Sequence, residues 1–205
     1  LIWQVKDLVP IAPDDLLIDY YQMPLEVPGN TKLNVVCASK SQVKQISDVL
    51  FEEGLALKVI TIPEFSYANL LPISDEASLF IYKQPNEELS IIIVKQGLIY
   101  FSRNLRGFKD IGTMGLEQLS YGVIDSLSLE IQRSIDYFER QLKQAPIKQI
   151  DILIPFDNEK HLVDMLAQNT HLPVKQLVVE GIKSEFRPLA GSYGALAELP
   201  STEGV

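Results

Sequence analysis

The chain has 205 residues, 46% of them apolar and 22% charged, which places it among ordinary globular proteins with a core that needs no disulfide or metal staple. Its 18 basic and 27 acidic side chains leave a formal net charge of -9. That balance argues against non-specific attachment to nucleic acid or to an anionic membrane, since both require a basic face. The longest apolar runs, such as Ile91-Ile92-Ile93-Val94, are far too short to span a bilayer, and Trp3-Gln4-Val5-Lys6-Asp7 is too polar to open a signal peptide.

Leu1 is not an initiator methionine, so the chain is expected to be a piece of something longer. The lone Cys37 has no partner for an internal disulfide and suits a reducing compartment. It falls in Asn34-Val35-Val36-Cys37-Ala38, an expected buried strand, and reads as a small inert thiol rather than a nucleophile.

Taken in order, residues 1–8 read as the end of a helix cut short by Pro10 and Pro13. A strand is expected over residues 16–21, then a turn-rich connection through Pro24, Pro28, Gly29 and Asn30, then a second strand over 32–39. Ser39 or Ser41 can cap the next helix, in which Val43, Ile46, Val49 and Leu50 recur at helical spacing and which Gly54 ends. Residues 57–62 alternate as a further strand closed by Pro63, and a short helix follows over 64–71. A boundary is placed at the polar stretch 72–76, giving a first part at residues 1–73 and a second at 74–205.

Three strands follow in quick succession, over 77–83, 89–95 and 98–103. The stretch Gln84-Pro85-Asn86-Glu87-Glu88 supplies the first turn and Gln96-Gly97 a tight hairpin. In the third strand Leu98 and Tyr100 are expected to face one way, Ile99 and Phe101 the other. Apolar residues on both sides predict a sheet covered on both faces. Gly107, Gly112 and Gly115 punctuate the loop before the longest helical pattern, residues 124–142. There Ile124, Leu127, Ile131, Ile135, Phe138 and Leu142 form one apolar stripe. Off the stripe, Glu130 can reach Arg133 and Asp136 can reach Arg140. A strand at 149–154, a helix at 158–170 with Leu162, Met165 and Leu166 inward, a strand at 174–179 and a small-residue helix at 189–199 complete the chain. The order after residue 76, βββαβαβα, is the plan of the ribonuclease-H-like half of an actin-type fold.

Catalytic patterns fail one by one. Asp14 with Asp15 and Glu52 with Glu53 are adjacent carboxylates whose side chains diverge, so they read as solvated pairs rather than acid/base dyads. His161 and His171 lack partners at zinc-ligand spacing. Gly107 and Gly112 are not followed by the Lys-Ser/Thr of a P-loop, and no Gly-x-Ser-x-Gly elbow occurs. Gly191-Ser192-Tyr193-Gly194 reads as a helix segment built for close packing. Arg106 and Lys109 read as solvated loop charges. Arg103, closing an apolar strand, is expected to pair with Glu130 and fix the long helix on the sheet.

Four stretches together resemble a known family. They are Pro13 through Pro24; Val35-Val36-Cys37-Ala38-Ser39-Lys40 with Glu53-Gly54-Leu55 and Ile60-Thr61-Ile62-Pro63-Glu64; Tyr100-Phe101-Ser102-Arg103; and Leu129-Glu130-Ile131-Gln132-Arg133-Ser134. Their order and spacing are similar to the PilM-type actin-like proteins of type IV pilus assembly, and among these to the MshI members of mannose-sensitive haemagglutinin (MSHA) pilus systems. The resemblance implies an α/β, actin-like (ASKHA, ribonuclease-H-like) fold lacking its N-terminal strands, a mixed sheet with helices on both faces, and two lobes. The first part would be a partial first lobe and the second the ribonuclease-H-like lobe. Arg103, Glu130 and Arg133 are the motif residues it singles out, with a structural or interaction role.

Nucleotide-binding relatives carry an Asp-x-Gly turn where this chain has Ile81-Tyr82-Lys83-Gln84-Pro85-Asn86-Glu87, and a Gly-Gly turn where it has Leu153-Ile154-Pro155-Phe156-Asp157-Asn158. A backbone cradle for phosphates needs glycine and free N–H groups, and proline removes one. Loss of ATP binding, no cofactor and no enzymatic activity are therefore expected. The resemblance implies a cytoplasmic scaffold at the inner-membrane face that binds the tail of a PilN-type membrane protein and relays to an assembly ATPase. It would touch the membrane only through partners, with self-association left open. The alternative is the cytoplasmic domain of a GspL-type type II secretion protein; a true actin-like ATPase or sugar-kinase relative is the third reading.

Overall fold

The structure, a computed structural model, describes residues 2–25 and 32–198. The expected features at Leu1, Pro28, Gly29, Asn30 and Leu199 lie outside them. The chain forms two compact units, Leu1–Ile60 and Thr61–Val205.

In the first unit, α1 (Ile2–Val5) is a single turn. β1 (Leu16–Gln22) and β2 (Leu33–Ser39) pair antiparallel, with Leu16 opposite Ser39 and Gln22 opposite Leu33. β2 runs straight into α2 (Lys40–Glu52), whose N-cap is Ser39, the hydroxyl accepting from the Gln42 N–H at 3.2 Å. Asp15 braces the same junction, accepting from the Ser39 hydroxyl at 2.6 Å and the Ser41 N–H at 2.8 Å. It is therefore half-buried capping machinery rather than a solvated carboxylate, and these donors hold its pKa below the ordinary value. Gly54 (φ 73) ends the helix in the left-handed conformation. Cys37 lies in β2 but is only half-buried.

Two expectations fail in this unit. The apolar positions of α2 do not build a core: Ile46 and Val49 are 63% and 58% exposed, Val43 and Leu50 are only half-buried, and no α2 residue is fully buried. Residues 57–62 do not form a strand. Extended conformation becomes a strand only when a partner supplies a ladder, and none pairs with them among the described residues.

The second unit is built on a five-stranded mixed sheet. Pro63 opens α3 (Pro63–Ala68) at a position where its missing N–H costs nothing. β3 (Ser78–Lys83), β4 (Leu89–Lys95) and β5 (Leu98–Leu105) form an antiparallel meander. Gln96 (φ 54) and Gly97 (φ 72) make the two-residue turn between β4 and β5, the positive φ at both fitting the primed turn such hairpins prefer. The turn α4 (Leu116–Gln118) and a π-helical turn, Leu119–Val123, lead into α5 (Ile124–Asp136), which continues through a second π-helical turn, Tyr137–Gln141. β6 (Gln149–Leu153) pairs parallel with β3, α6 (Glu159–Thr170) follows, β7 (Val174–Gln176) pairs parallel with β6, and α7 (Ala190–Ala195) closes the unit. The strand order is β5-β4-β3-β6-β7. The last expected strand stops at Gln176, although Leu177 and Val179 are buried.

Helices cover both faces. On one, α3 and α7 enclose a core of Tyr67, Phe80, Tyr82, Ile92, Val94 and Ile99, with Tyr67 stacked on Tyr82 at 3.8 Å between ring centroids. Burial pushes the Tyr67 hydroxyl up to about 12. α7 approaches α3 because Gly194 and Gly191 lack side chains. A Cβ at Gly194 would lie 1.9 Å from the Ser66 carbonyl oxygen, and one at Gly191 2.7 Å from the Tyr67 ring. On the other face, the whole α5 stripe is buried, from Ile124 to Leu142. Because α3 packs into this core, residues 61–73 fold with the second unit, and the division falls between Ile60 and Thr61 rather than at 73/74.

β5 departs from simple alternation. Val94 pairs with Ile99 but Ile93 pairs with Phe101, so Tyr100 is an extra residue, a β-bulge. Ile99 joins the α3 face, while Tyr100 and Phe101 both turn to the α5 side. Tyr100 meets Phe138 edge-on at 5.9 Å and Phe101 meets Tyr137 at 5.1 Å. The expected opposition of Tyr100 and Phe101 is thereby corrected.

Candidate interaction site

The bulge decides where Arg103 points. Beyond Tyr100 the strand resumes its period of two, so Arg103, opposite Ile91, faces α5 on the same side as Phe101. Its Nη2 forms an ion pair with Glu130 Oε2. The other carboxylate oxygen of Glu130 accepts from Arg133 Nη1 at 2.6 Å, one helical turn on. The structure thus brings Arg103, Glu130 and Arg133 into one cluster, with Glu130 gripped from both sides. Arg103 is 31% exposed and Glu130 23%, so the pair is partly screened. Burial, and secondarily the charge of Arg133, pull Arg103 below its ordinary pKa. Its Nε is buried and has no hydrogen-bond partner among the described residues.

A second charged centre went unrecognised in the sequence. Glu159, at the start of α6, is 1% exposed, and its carboxylate pairs with Arg187. Glu159 Oε1 also accepts from the Ile154 N–H at 2.8 Å and Oε2 from Gln176 Nε2 at 2.7 Å. Arg187 Nη2 donates to the Leu177 carbonyl at 3.2 Å. One carboxylate therefore ties together the end of β6, β7 and the 3-10 segment Ser184–Leu189. Only the folded chain brings these two residues, separated by a helix and a strand, into contact.

The turn between β3 and β4 contains Pro85 and Asn86 (φ 62). Lys83 folds over it, its Nζ donating to the Glu87 carbonyl at 2.6 Å. Burial lowers the Lys83 pKa, opposed by the carboxylates of Glu88 and Asp110. His161 and His171 are exposed. No group of three or more His, Cys, Asp or Glu able to hold a metal occurs among the described residues, and no helix among them is long and apolar enough to cross a membrane.

No family model and no curated protein matches the sequence. Among solved structures, a chain of a PilM-PilN type IV pilus biogenesis complex is similar with a TM-score of 0.67 and 16% identity, over 96% of this chain and 70% of that one. Two fainter likenesses carry no argument. One is a Bacteroides thetaiotaomicron protein with actin-like ATPase fold and unknown function (TM-score 0.43, 10% identity, 86% of this chain and 59% of that one). The other is the ethanolamine utilization protein EutJ from Carboxydothermus hydrogenoformans (TM-score 0.49, 12% identity, 80% and 61%). At such identities the likeness is one of architecture. This chain has the actin-like α/β fold, a mixed sheet with helices on both faces, in the form it takes in the PilM–PilN structure.

Proposed function

We propose that the chain is a non-catalytic scaffold of a type IV pilus assembly platform, of the MSHA type, that binds the cytoplasmic tail of a PilN-type membrane protein. The observation that carries this reading is the TM-score of 0.67 over 96% of the chain to a structure of a PilM-PilN type IV pilus biogenesis complex. On this reading the unit beginning at Thr61 is the ribonuclease-H-like second lobe and the preceding unit part of the first. The protein works at the cytoplasmic face of the inner membrane, held there by its partners. Loss of nucleotide binding is supported by two features. Pro85 interrupts the β3–β4 turn, and the Ile154 N–H at the end of β6 is already occupied by Glu159.

The test is calorimetric titration of the chain with a synthetic cytoplasmic tail of a PilN-type protein, and separately with Mg-ATP. Saturable binding of the tail and no heat from Mg-ATP at micromolar concentrations are expected. Tight Mg-ATP binding would return the chain to the ATPases. A silent tail, with binding instead to a secretion ATPase, would favour the GspL-type alternative.

A further inference from the structure

Asp151, in the middle of β6, is 5% exposed. Its Oδ2 accepts from the Ser78 hydroxyl and from Gln149 Nε2 at 2.9 Å, and no described residue donates to Oδ1. Lys175, opposite it in β7, donates to Gln149 Oε1 at 3.3 Å rather than to the carboxylate. Asp151 is therefore buried without an ion pair among the described residues. It lines a cavity of about 200 Å³ at the edge of the sheet where β3 and β6 begin and β4 ends. Lys95, the last residue of β4, lines the same cavity, is half-buried, and forms no ion pair among the described residues either.

The charged lining is balanced. Asp151 and Glu76 stand against Lys95 and Lys148, with Glu76 and Lys148 exposed at the rim. Neither a simple cation nor a simple anion is favoured by such a set. A buried charge without a partner is costly, yet Asp151 and Lys95 do not meet across the cavity. One molecule carrying both signs satisfies both groups at once. Leu71 and Val94 supply apolar wall between them. The loop that closes the cavity is already fixed, since the Gln96 N–H donates to the Ser74 carbonyl at 2.7 Å and Gln96 Nε2 to Asp75 Oδ1 at 2.7 Å. The Lys148 N–H donates to the Ala77 carbonyl at 3.3 Å, so a ligand meets a preformed wall.

We propose that this cavity binds a small zwitterion of the α-amino acid class, with its ammonium on Asp151 Oδ1, its carboxylate on Lys95 Nζ and an aliphatic side chain against Leu71 and Val94. Every lining residue belongs to the second unit, and the proposal is independent of the pilus reading. A lysine side chain or a chain terminus brought by a partner protein would carry only one of the two charges and leave the other group unpaired.

The test is an amide NMR titration of the full chain with L-valine, which is small enough for the cavity. Isobutylamine and isovalerate, the same skeleton with one charge each, are the controls. Saturable shifts are expected at residues 74–78, 94–96 and 148–151, with a Kd of about 1 mM or tighter. Each control should bind at least about tenfold more weakly, having lost one charge-assisted hydrogen bond. Asp151→Asn, which can still accept from Ser78 and Gln149, and Lys95→Gln should each weaken valine by about the same factor. Lys183→Gln, outside the lining, should leave it unchanged. Should Asp151→Asn fail to fold, Lys95→Gln and the two controls carry the test. No saturable shift up to about 10 mM valine, equal binding of either control, indifference to the folded variants, or shifts lying away from the cavity would each overturn the proposal.

Discussion

The two units solve the burial problem differently. In the unit from Thr61, the central strands β3 and β4 are apolar on both faces, and helices meet both, so Leu79, Phe80, Ile81, Ile91, Ile92 and Ile93 are all inaccessible. In the unit ending at Ile60, two strands, the single turn α1 and the helix α2 leave Leu16 as the single buried hydrophobic among the described residues. A two-stranded sheet has one partner per strand and little area to bury, which makes such a unit marginal by itself. Similar apolar spacing thus yields a core in one place and a surface in the other.

The largest effect should come from Glu159→Ala. Stripping one partner from a buried pair leaves Arg187 uncompensated, and a loss of about 3–5 kcal/mol is expected in urea unfolding of the second unit. Hydrogen exchange in β1 and β2 should hardly change. If both units fail together, they are one cooperative body and do not differ in the way their burial suggests. Gly194→Ala comes next. Its Cβ must displace backbone at Ser66, so roughly 1–3 kcal/mol should be lost, with a lowered Tm as the readout.

Titration should separate the units. Tyr67 holds its proton to about pH 12 when folded, against an ordinary value of 10.0. Between these values the unfolded chain has lost the proton and the folded chain keeps it. Stability therefore falls as pH rises through that window, by roughly 2–3 kcal/mol, and Tyr67→Phe should remove this dependence. Asp15 acts in the opposite direction. Its depressed pKa stabilises the first unit above the ordinary carboxylate value, and that contribution fades as pH falls through the folded value. In Asp15→Asn, the acid-induced loss of amide protection in β1, β2 and α2 should be weaker.

Smaller effects sharpen the picture. A double-mutant cycle at Arg103 and Glu130 should give coupling of about 1 kcal/mol or less, because both side chains keep contact with water. The least is expected from Ile46→Ser and Phe51→Ser in α2, within about 0.5 kcal/mol. A loss of several times that would mean the face is covered in solution.

Where sequence reading succeeded, local pattern and burial agreed. The α5 stripe, the three-strand meander, the Gln96-Gly97 turn and the caps at Ser39 and Gly54 are fixed by neighbours in the chain. The packing role of Gly191 and Gly194 was also legible, because two glycines in a helix cost stability unless something comes close. Residues 57–62 misled because alternation cannot reveal whether a partner strand exists. The bulge at Tyr100 was invisible since it depends on the register chosen by β4. Glu159 and Arg187 look like two ordinary surface charges until the chain brings them together. Within the candidate site, the Arg103–Glu130 contact was legible from a charge ending an apolar strand.

The single additional residue at position 100 has a bearing on how relatives of this chain should be compared. Any gap-free alignment running through β5 silently assumes that the partner sequence carries the same insertion. Where it does not, every side chain on one flank of that point is assigned to the opposite surface, and an arginine matched to Arg103 in letters would be looking away from its glutamate in space.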